Sequence, residues 1–468
     1  YAKAMAASLG ILSGSGSDAA VEVNPTVEAS IGNNVRIDVT GAITVIAKSR
    51  ASGTADAQGI SVALGTVGVS LARADMNPIV TAQIGTGSEI GAGSAISLTA
   101  THNYDDAGNA LDKKAYAYTC AAAGGGLVGT GADSDANAKA TVSATIGAGS
   151  TVTSPVSAIT VTAKSNNRAH AEAEGYSVGL AGVGAALSDA DSRGTITASI
   201  NATTISADLT VKADGYGYAK AETITGAGGI LAGSGSVPTA YAGDTVTAFL
   251  AGTHTQTGTI TVYGRDIPHA EAFADGINAG GLTVGVSKAL AQSCPVVYAY
   301  VAGGTSTAHT TITCKKLDVT AIQDVPSGSY TAQASGRSSS GSLIGVNATS
   351  GTAKDYGYVS AYIGDYTVLT LSGTLLDTVE VNVGATNNSS QYAAATGNWG
   401  ALIGVGDNQA TAWSDTETYA FVGKNVKISP DSTGGKLPTL NVTATGTDTN
   451  YANAVSGSGG VIAGAAAT

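Results

Sequence analysis

AHAEAEGYSVGLAGVGAALSDADSRGTITASINATTISADLTVKADGY, residues 169–216, holds the four landmarks that decide the fold. It opens on His170-Ala171-Glu172-Ala173 and reaches Gly184 inside an aliphatic, glycine-rich patch. It then passes Ala198-Ser199-Ile200 and closes on the alternating pair Leu209/Val211. Alternation at period two, punctuated by Gly, Asn, Asp and Ser, is the pattern of strands; no stretch keeps a 3.6-residue apolar period over three turns.

The landmarks recur on both sides of this segment. The opening appears nine times, at Tyr1-Ala2, Thr54-Ala55, Tyr116-Ala117, His170-Ala171, Tyr218-Ala219, His269-Ala270, Thr331-Ala332, Tyr392-Ala393 and Tyr451-Ala452, with 48 to 62 residues between successive alanines. A glycine follows each time: Gly14, Gly68, Gly129, Gly184, Gly233, Gly285, Gly345, Gly404 and Gly464. The Ala-x-aliphatic motif then ends at Ile31, Ile84, Ile146, Ile200, Leu250, Val301, Ile363 and Val422. The pairs are Ile43/Val45, Ile96/Leu98, Ile159/Val161, Leu209/Val211, Ile260/Val262, Leu317/Val319, Val379/Val381 and Leu440/Val442. Spacing varies least between glycine and motif; the insertions His102–Lys114 and Ser429–Leu437, the latter with Pro430 and Gly434-Gly435, read as loops.

The pattern predicts an all-β fold, an elongated parallel β-solenoid of right-handed β-helix type, with eight complete units of about 50–60 residues and a partial ninth. The units are 1–52, 53–114, 115–168, 169–216, 217–267, 268–328, 329–389, 390–448 and 449–468, in one array. A β-propeller is the competing architecture, but its blades carry aromatic signatures, whereas an alanine column suits close approach of sheets. One wide, flattened coil per unit is favoured over two smaller ones, although the glycine patches alternate between GxG and Val-Gly contexts with a two-unit period. Stacking predicts a row of rings from Tyr1, Tyr116, His170, Tyr218, His269, Tyr392 and Tyr451. Beside it should run a charge ladder in which Lys3 faces Asp56, and Lys220 faces both Glu172 and Glu271.

Composition narrows the function. The 468 residues include 64 Gly but only 3 Phe, 2 Trp and 2 Met, so a thick aromatic core is excluded. A net charge of −12 without a basic stripe argues against nucleic acid, and no apolar run is long enough for a membrane span. Cys120, Cys294 and Cys314 lack zinc spacing; a Cys294–Cys314 bridge requires adjacent strands. His102, His170, His254, His269 and His309 show no ligand spacing, and no cofactor motif is legible. Asp133, Asp135, Asp189 and Asp191 are weak calcium candidates, and the paired carboxylates a polysaccharide-degrading site would need; solvated strand ends explain them more simply. An ice-binding Thr-x-Thr face is spoiled by Ser97/Thr99, Asp318/Thr320 and Glu380/Asn382. Asn201-Ala202-Thr203 and Asn441-Val442-Thr443 are sequons that matter only in a glycosylating host.

The phrases Gly228-Gly229-Ile230-Leu231-Ala232-Gly233 and Ile159-Thr160-Val161-Thr162-Ala163 give the chain a resemblance, along essentially its whole length, to the body of filamentous-haemagglutinin and leukotoxin-type bacterial adhesins. These are large surface exoproteins, generally exported by two-partner secretion. The resemblance implies a non-enzymatic extracellular fibre at the cell surface, a stalk for attachment that continues into further repeats or copies of itself, and contact with a host or neighbouring-cell surface. The family's amino-terminal secretion domain, with its Asn-Pro-Asn-Gly type signature, is not seen.

Overall fold

The first rung shows how these residues make strands. Ala2–Val23 (β1), Thr26–Ile31 (β2), Arg36–Val39 (β3) and Ile43–Ser49 (β4) are separated by three corners: Asn24-Pro25, Asn33-Asn34, with Asn34 at φ 55°, and Thr40-Gly41-Ala42. The chain then enters Gly53–Met76 (β5), which lies parallel on β1 with Ala2 opposite Ala55 and Val23 opposite Met76. Each later unit repeats this step, so the chain is one coil per unit. In this computed structural model, which describes residues 1–373, 379–431 and 437–468, the rungs form two parallel sheets of 13 strands each. Gly434-Gly435 lie outside the described residues. Among the described residues no helix is long and apolar enough to cross a membrane.

Two cores fill the coil. The aliphatic one lies between the two sheets: Val45, Leu98, Val161, Val211 and Val262 face Val80, Ile84, Val142, Ile146, Ile200 and Leu250. The second is built of alanine. Ala55 and Ala57 share one cluster with Ala72 and Ala74 of the same strand, and the set repeats through Ala117/Ala136, Ala171/Ala190 and Ala272/Ala289. Each long strand therefore folds back on itself as an arch, its two legs bonded to the rungs above and below. Thr119 Oγ1 and Ser134 Oγ, on opposite legs of one arch, are 2.8 Å apart. Close approach explains the alanine column, since larger side chains would force the legs apart. At the bend, Gly125 has φ 151°, and a Cβ there would fall 1.5 Å from the Ala63 carbonyl oxygen.

Beyond the alanines the arch turns inside out. Gly59, Ser61, Ala63, Thr66, Gly68 and Ser70 point inward, while Ile60, Val62, Leu64, Val67, Val69 and Leu71 point to solvent. Every rung carries this outer arch as a fin, and all nine fins have the same twelve-residue length, from Ala6–Ser17 and Gly59–Ser70 to Ser456–Ala467.

The registers correct several sequence alignments. The Ala-x-aliphatic column is in register at all eight positions, Ile31 through Val422. The alanine openings slip twice by two residues: Ala219 lies opposite Ala169, and Ala393 opposite Ala334. Val381/Val383, not Val379/Val381, continue Leu317/Val319. A two-residue slip keeps every side chain on its face, so alternation alone cannot detect it. The glycine column proves to be three columns, the third holding Gly345 and Gly404 in line with Thr283. Gly14, Gly129 and Gly233 point outward opposite Val67, Val183 and Val284; Gly68, Gly184 and Gly285 point inward beside Ser15, Thr130 and Ser234. The two-unit period is thus an exchange of bulk between the outer and inner faces of the fin.

Candidate functional site

The predicted ring row survives in segments. Tyr116 and His170 lie 5.0 Å apart between ring centroids, Tyr218 and His269 4.9 Å, and Tyr392 and Tyr451 5.3 Å. Tyr218 lies opposite Arg168 rather than His170, and Tyr392 opposite Gln333, so the two-residue slips cut the row. Tyr1 and Tyr451 are exposed, whereas His269 is buried at 8% exposure.

The charge ladder is likewise partial. Lys3 Nζ meets Asp56 at 3.1 Å, and Lys220 does lie opposite Glu271. Glu172, however, faces Glu222. The like charges are resolved by neighbours. Tyr116 Oη donates to Glu172 Oε2 at 2.8 Å, and Lys220 Nζ reaches Glu222 Oε1 at 3.0 Å. Lys114 Nζ donates to His170 Nδ1 (3.2 Å), which leaves the proton on Nε2 to donate to Glu222 Oε2 (3.0 Å). Burial pushes Glu222 up, but its bonds to His170 and Lys220 outweigh this and hold it below the usual carboxylate range. Among the described residues, only His170, Glu172 and Glu222 bring three His, Cys, Asp or Glu ligand atoms within 4.8 Å of one another. Each already has a protein partner, and two lysines occupy the positive role a metal would fill.

The four aspartates do not converge in that way. Asp135 lies opposite Asp189, Asp133 opposite Leu187 and Asp191 opposite Asn137. Asp191 is paired with Lys139 at 2.8 Å and Arg193 at 2.6 Å. Desolvation, then the nearby Asp135, Asp191 and Asp133, raises Asp189 to about 6. Cys120, Cys294 and Cys314 are all free thiols, so the Cys294–Cys314 bridge is absent; Cys314 ends the strand Thr310–Cys314 inside the aliphatic core, whereas Cys294 follows the strand Thr259–Ser293.

Two features escaped the sequence reading. One is a flat aromatic ladder on the second sheet: Phe249, Tyr300, Tyr362 and Phe421 stack at 5.3, 4.8 and 4.9 Å, with interplanar angles of 8°, 3° and 3°. Its signal was the middle residue of the Ala-x-aliphatic motif. Along the ladder the rings cover one another's faces and so brace the stack. The other is a line of buried carboxyls where the two cores meet. Asp244 Oδ1 accepts from Asn167 Nδ2 (2.9 Å) and Gly194 N (2.6 Å), and Asp266 Oδ2 accepts from Asp244 N (2.9 Å). Asp244 Oδ2 and Asp266 Oδ1 accept nothing within the protein, and burial raises both groups. The sequence carries no mark of this line, because Gly243-Asp244 and Asp355-Tyr356-Gly357 read as ordinary turn aspartates.

No family model, no curated protein and no solved structure matches this chain.

Proposed function

We propose that this chain is a structural segment of an extracellular fibre, an adhesin stalk that spans distance from a cell surface, and that its role is mechanical rather than catalytic. The observation that carries the reading is the parallel stack that the described residues form from Ala2 to Ala467, in which rung pairs with rung through two continuous cores. Each added rung lengthens such a stack by about 4.8 Å without changing its cross-section, which is how a solenoid spans distance. The residues gathered on its faces support the same reading: the ring segments, the aromatic ladder and the ion network all bind one rung to the next.

Negative-stain images of the purified chain test it. Flat particles about 40 Å along the stack for nine rungs, or filaments of constant width where stacks continue end to end, are the expected result. Globular particles overturn it.

A further inference from the structure

We infer that the fin is a self-complementary surface by which two copies of this chain pair side by side. The inference goes beyond the fibre reading, which needs only single rods.

The fin is apolar where it meets water. Val67, Val183, Val284 and Val405 are exposed, Val183 at 62%, and with them Leu12, Leu127, Leu231, Ile344 and Ile462 along the rim. In a chain with net charge −12, the nine twelve-residue fins hold one charged residue, Asp407. No lysine or arginine stands on the fin to meet anionic headgroups, which membrane-docking faces normally supply.

The relief of the surface selects the occupant. On the leg that follows the bend, two outward columns run along the rod. In successive rungs they read Leu12 and Gly14, Gly65 and Val67, Leu127 and Gly129, Ala181 and Val183, Leu231 and Gly233. Over these first five rungs large and small alternate in both directions, a checkerboard whose bumps fit its own hollows when a second copy is set against it one rung out of step; in the next three, Leu282/Val284, Ile344/Val346 and Ile403/Val405, both columns are large. The hollow between Leu12, Val67, Leu127 and Val183 has a volume of about 540 Å³. A fluid lipid surface would not require such a pattern, whereas two packed sheets do.

Three of the outward glycines are not needed by the rod itself, whereas a Cβ on Gly65 would meet Leu12 Cδ2 at 2.8 Å. A Cβ on Gly129 would have its nearest neighbour at 3.9 Å, on Gly233 at 3.8 Å and on Gly14 at 3.6 Å, all ordinary contacts, and none has a positive φ. Inward glycines of the same patches differ: a Cβ on Gly184 meets Thr130 Oγ1 at 3.1 Å, and one on Gly285 meets Asn347 Oδ1 at 2.5 Å. The hollows therefore exist for something outside the rod. Constant length points the same way. Exposed bends tolerate insertions, and other corners of this coil take them, yet none of the nine fins does. Over nine rungs the apolar face of one leg measures about 40 Å by about 20 Å, near the ~800 Å² per partner of a stable pair.

The test is sedimentation of the full chain over a wide concentration range, with Gly129→Val/Gly233→Val as the principal variant. Both valines suit a strand and their Cβ atoms meet only ordinary contacts in the rod, so the variant should fold with an unchanged unfolding midpoint. Wild type is expected to sediment as a pair, and the variant to pair about tenfold or more weakly, because the hollows are filled. Val67→Lys/Val183→Lys, which removes the bumps, should do the same. Negative stain separates this pairing from end-to-end growth: pairing doubles the width, growth extends the length. Single rods at every concentration overturn the pairing and leave the fibre reading standing. The pairing is equally overturned by a filled-hollow variant that pairs as tightly as wild type, or by unpaired wild type that floats with phosphatidylcholine vesicles.

Discussion

Asp355→Asn should stabilise the rod at neutral pH and lose that advantage in acid. The side chain is wholly buried; Oδ1 accepts from Gly357 N at 2.8 Å and Oδ2 from Gln323 Nε2 at 2.9 Å, both neutral donors. Burial outweighs these bonds and the pull of the neighbouring Ser293 and Thr331 hydroxyls, and lifts the carboxyl from the 3.8 of an unburied aspartate to about 6. Because the folded chain then holds this proton more tightly than the unfolded one, the acid form contributes stability that is complete below pH 3.8 and is lost as the pH rises through about 6. The gap corresponds to about 3 kcal/mol. The amide carries no charge at any pH and keeps the Gly357 bond through its oxygen. Its nitrogen can donate to Gln323 Oε1, which accepts nothing in the wild type, once that side chain flips. Urea titrations of both chains from about pH 3.5 to about pH 8 measure the difference, in which all other titrations cancel. The variant's advantage should grow by about 3 kcal/mol from the acid end to neutral pH and then level off. A flat difference curve, or one sloping the other way, refutes the claim that this carboxyl is uncompensated.

Three further outcomes follow from the packing. Gly184→Val should destabilise by about 1–3 kcal/mol in urea, since its Cβ would press on Thr130 Oγ1 and Ser177 Oγ, at 3.1 and 3.2 Å, inside the fin. The two cores should respond oppositely to size. Ala171→Leu overfills the alanine core and costs about 1–3 kcal/mol or more, whereas Leu209→Ala empties the aliphatic core at a cost of about 2–5 kcal/mol, both read from the urea midpoint. Cys314, buried among aliphatic side chains and pushed up to about 12, should resist iodoacetamide in the native rod; all three thiols should react after unfolding without reductant.

How much of this was legible depended on whether a residue carries a size or only a parity. The Ala-x-aliphatic column could be aligned because a large residue, Ile31 to Val422, marks one position per rung, and the structure pairs all of them. The alanine openings carry no such mark. Ala169, Ala171 and Ala173 are interchangeable in size and face, so the partner of Ala219 could not be chosen from sequence, and the charge ladder that depended on it placed Glu172 beside Lys220 instead of Glu222. Asp244, Asp266 and Asp355 were hidden for a different reason. An aspartate at a glycine-marked corner has the same signature in an exposed turn and in a corner folded between two cores; only the third dimension separates them.

The fin shows what alternation cannot say. Along Gly53–Met76 the inward parity never changes within a leg: Ala55, Ala57, Gly59, Ser61 and Ala63 point in on the first, Thr66, Gly68, Ser70, Ala72 and Ala74 on the second. The apolar bulk nevertheless changes sides, from the inward alanines to the outward Ile60, Val62 and Leu64. Hydrophobicity alone would place a bulge or a flipped register at Gln58–Gly59. The backbone makes neither, because β5 is held residue for residue between the rung below and the rung above: Ala4 through Gly10 pair with Ala57 through Ala63, and these with Thr119 through Gly125. Slipping this strand by one residue would break both ladders and carry Ala55 and Ala57 out of the alanine core. The stack thus fixes the parity, and the fin accepts outward aliphatic side chains, each forgoing part of the about 1.5–3 kcal/mol that full burial gives. That burial is recoverable only by covering the fin, so the device that makes the rod regular also leaves it with an apolar face for a second rod to cover.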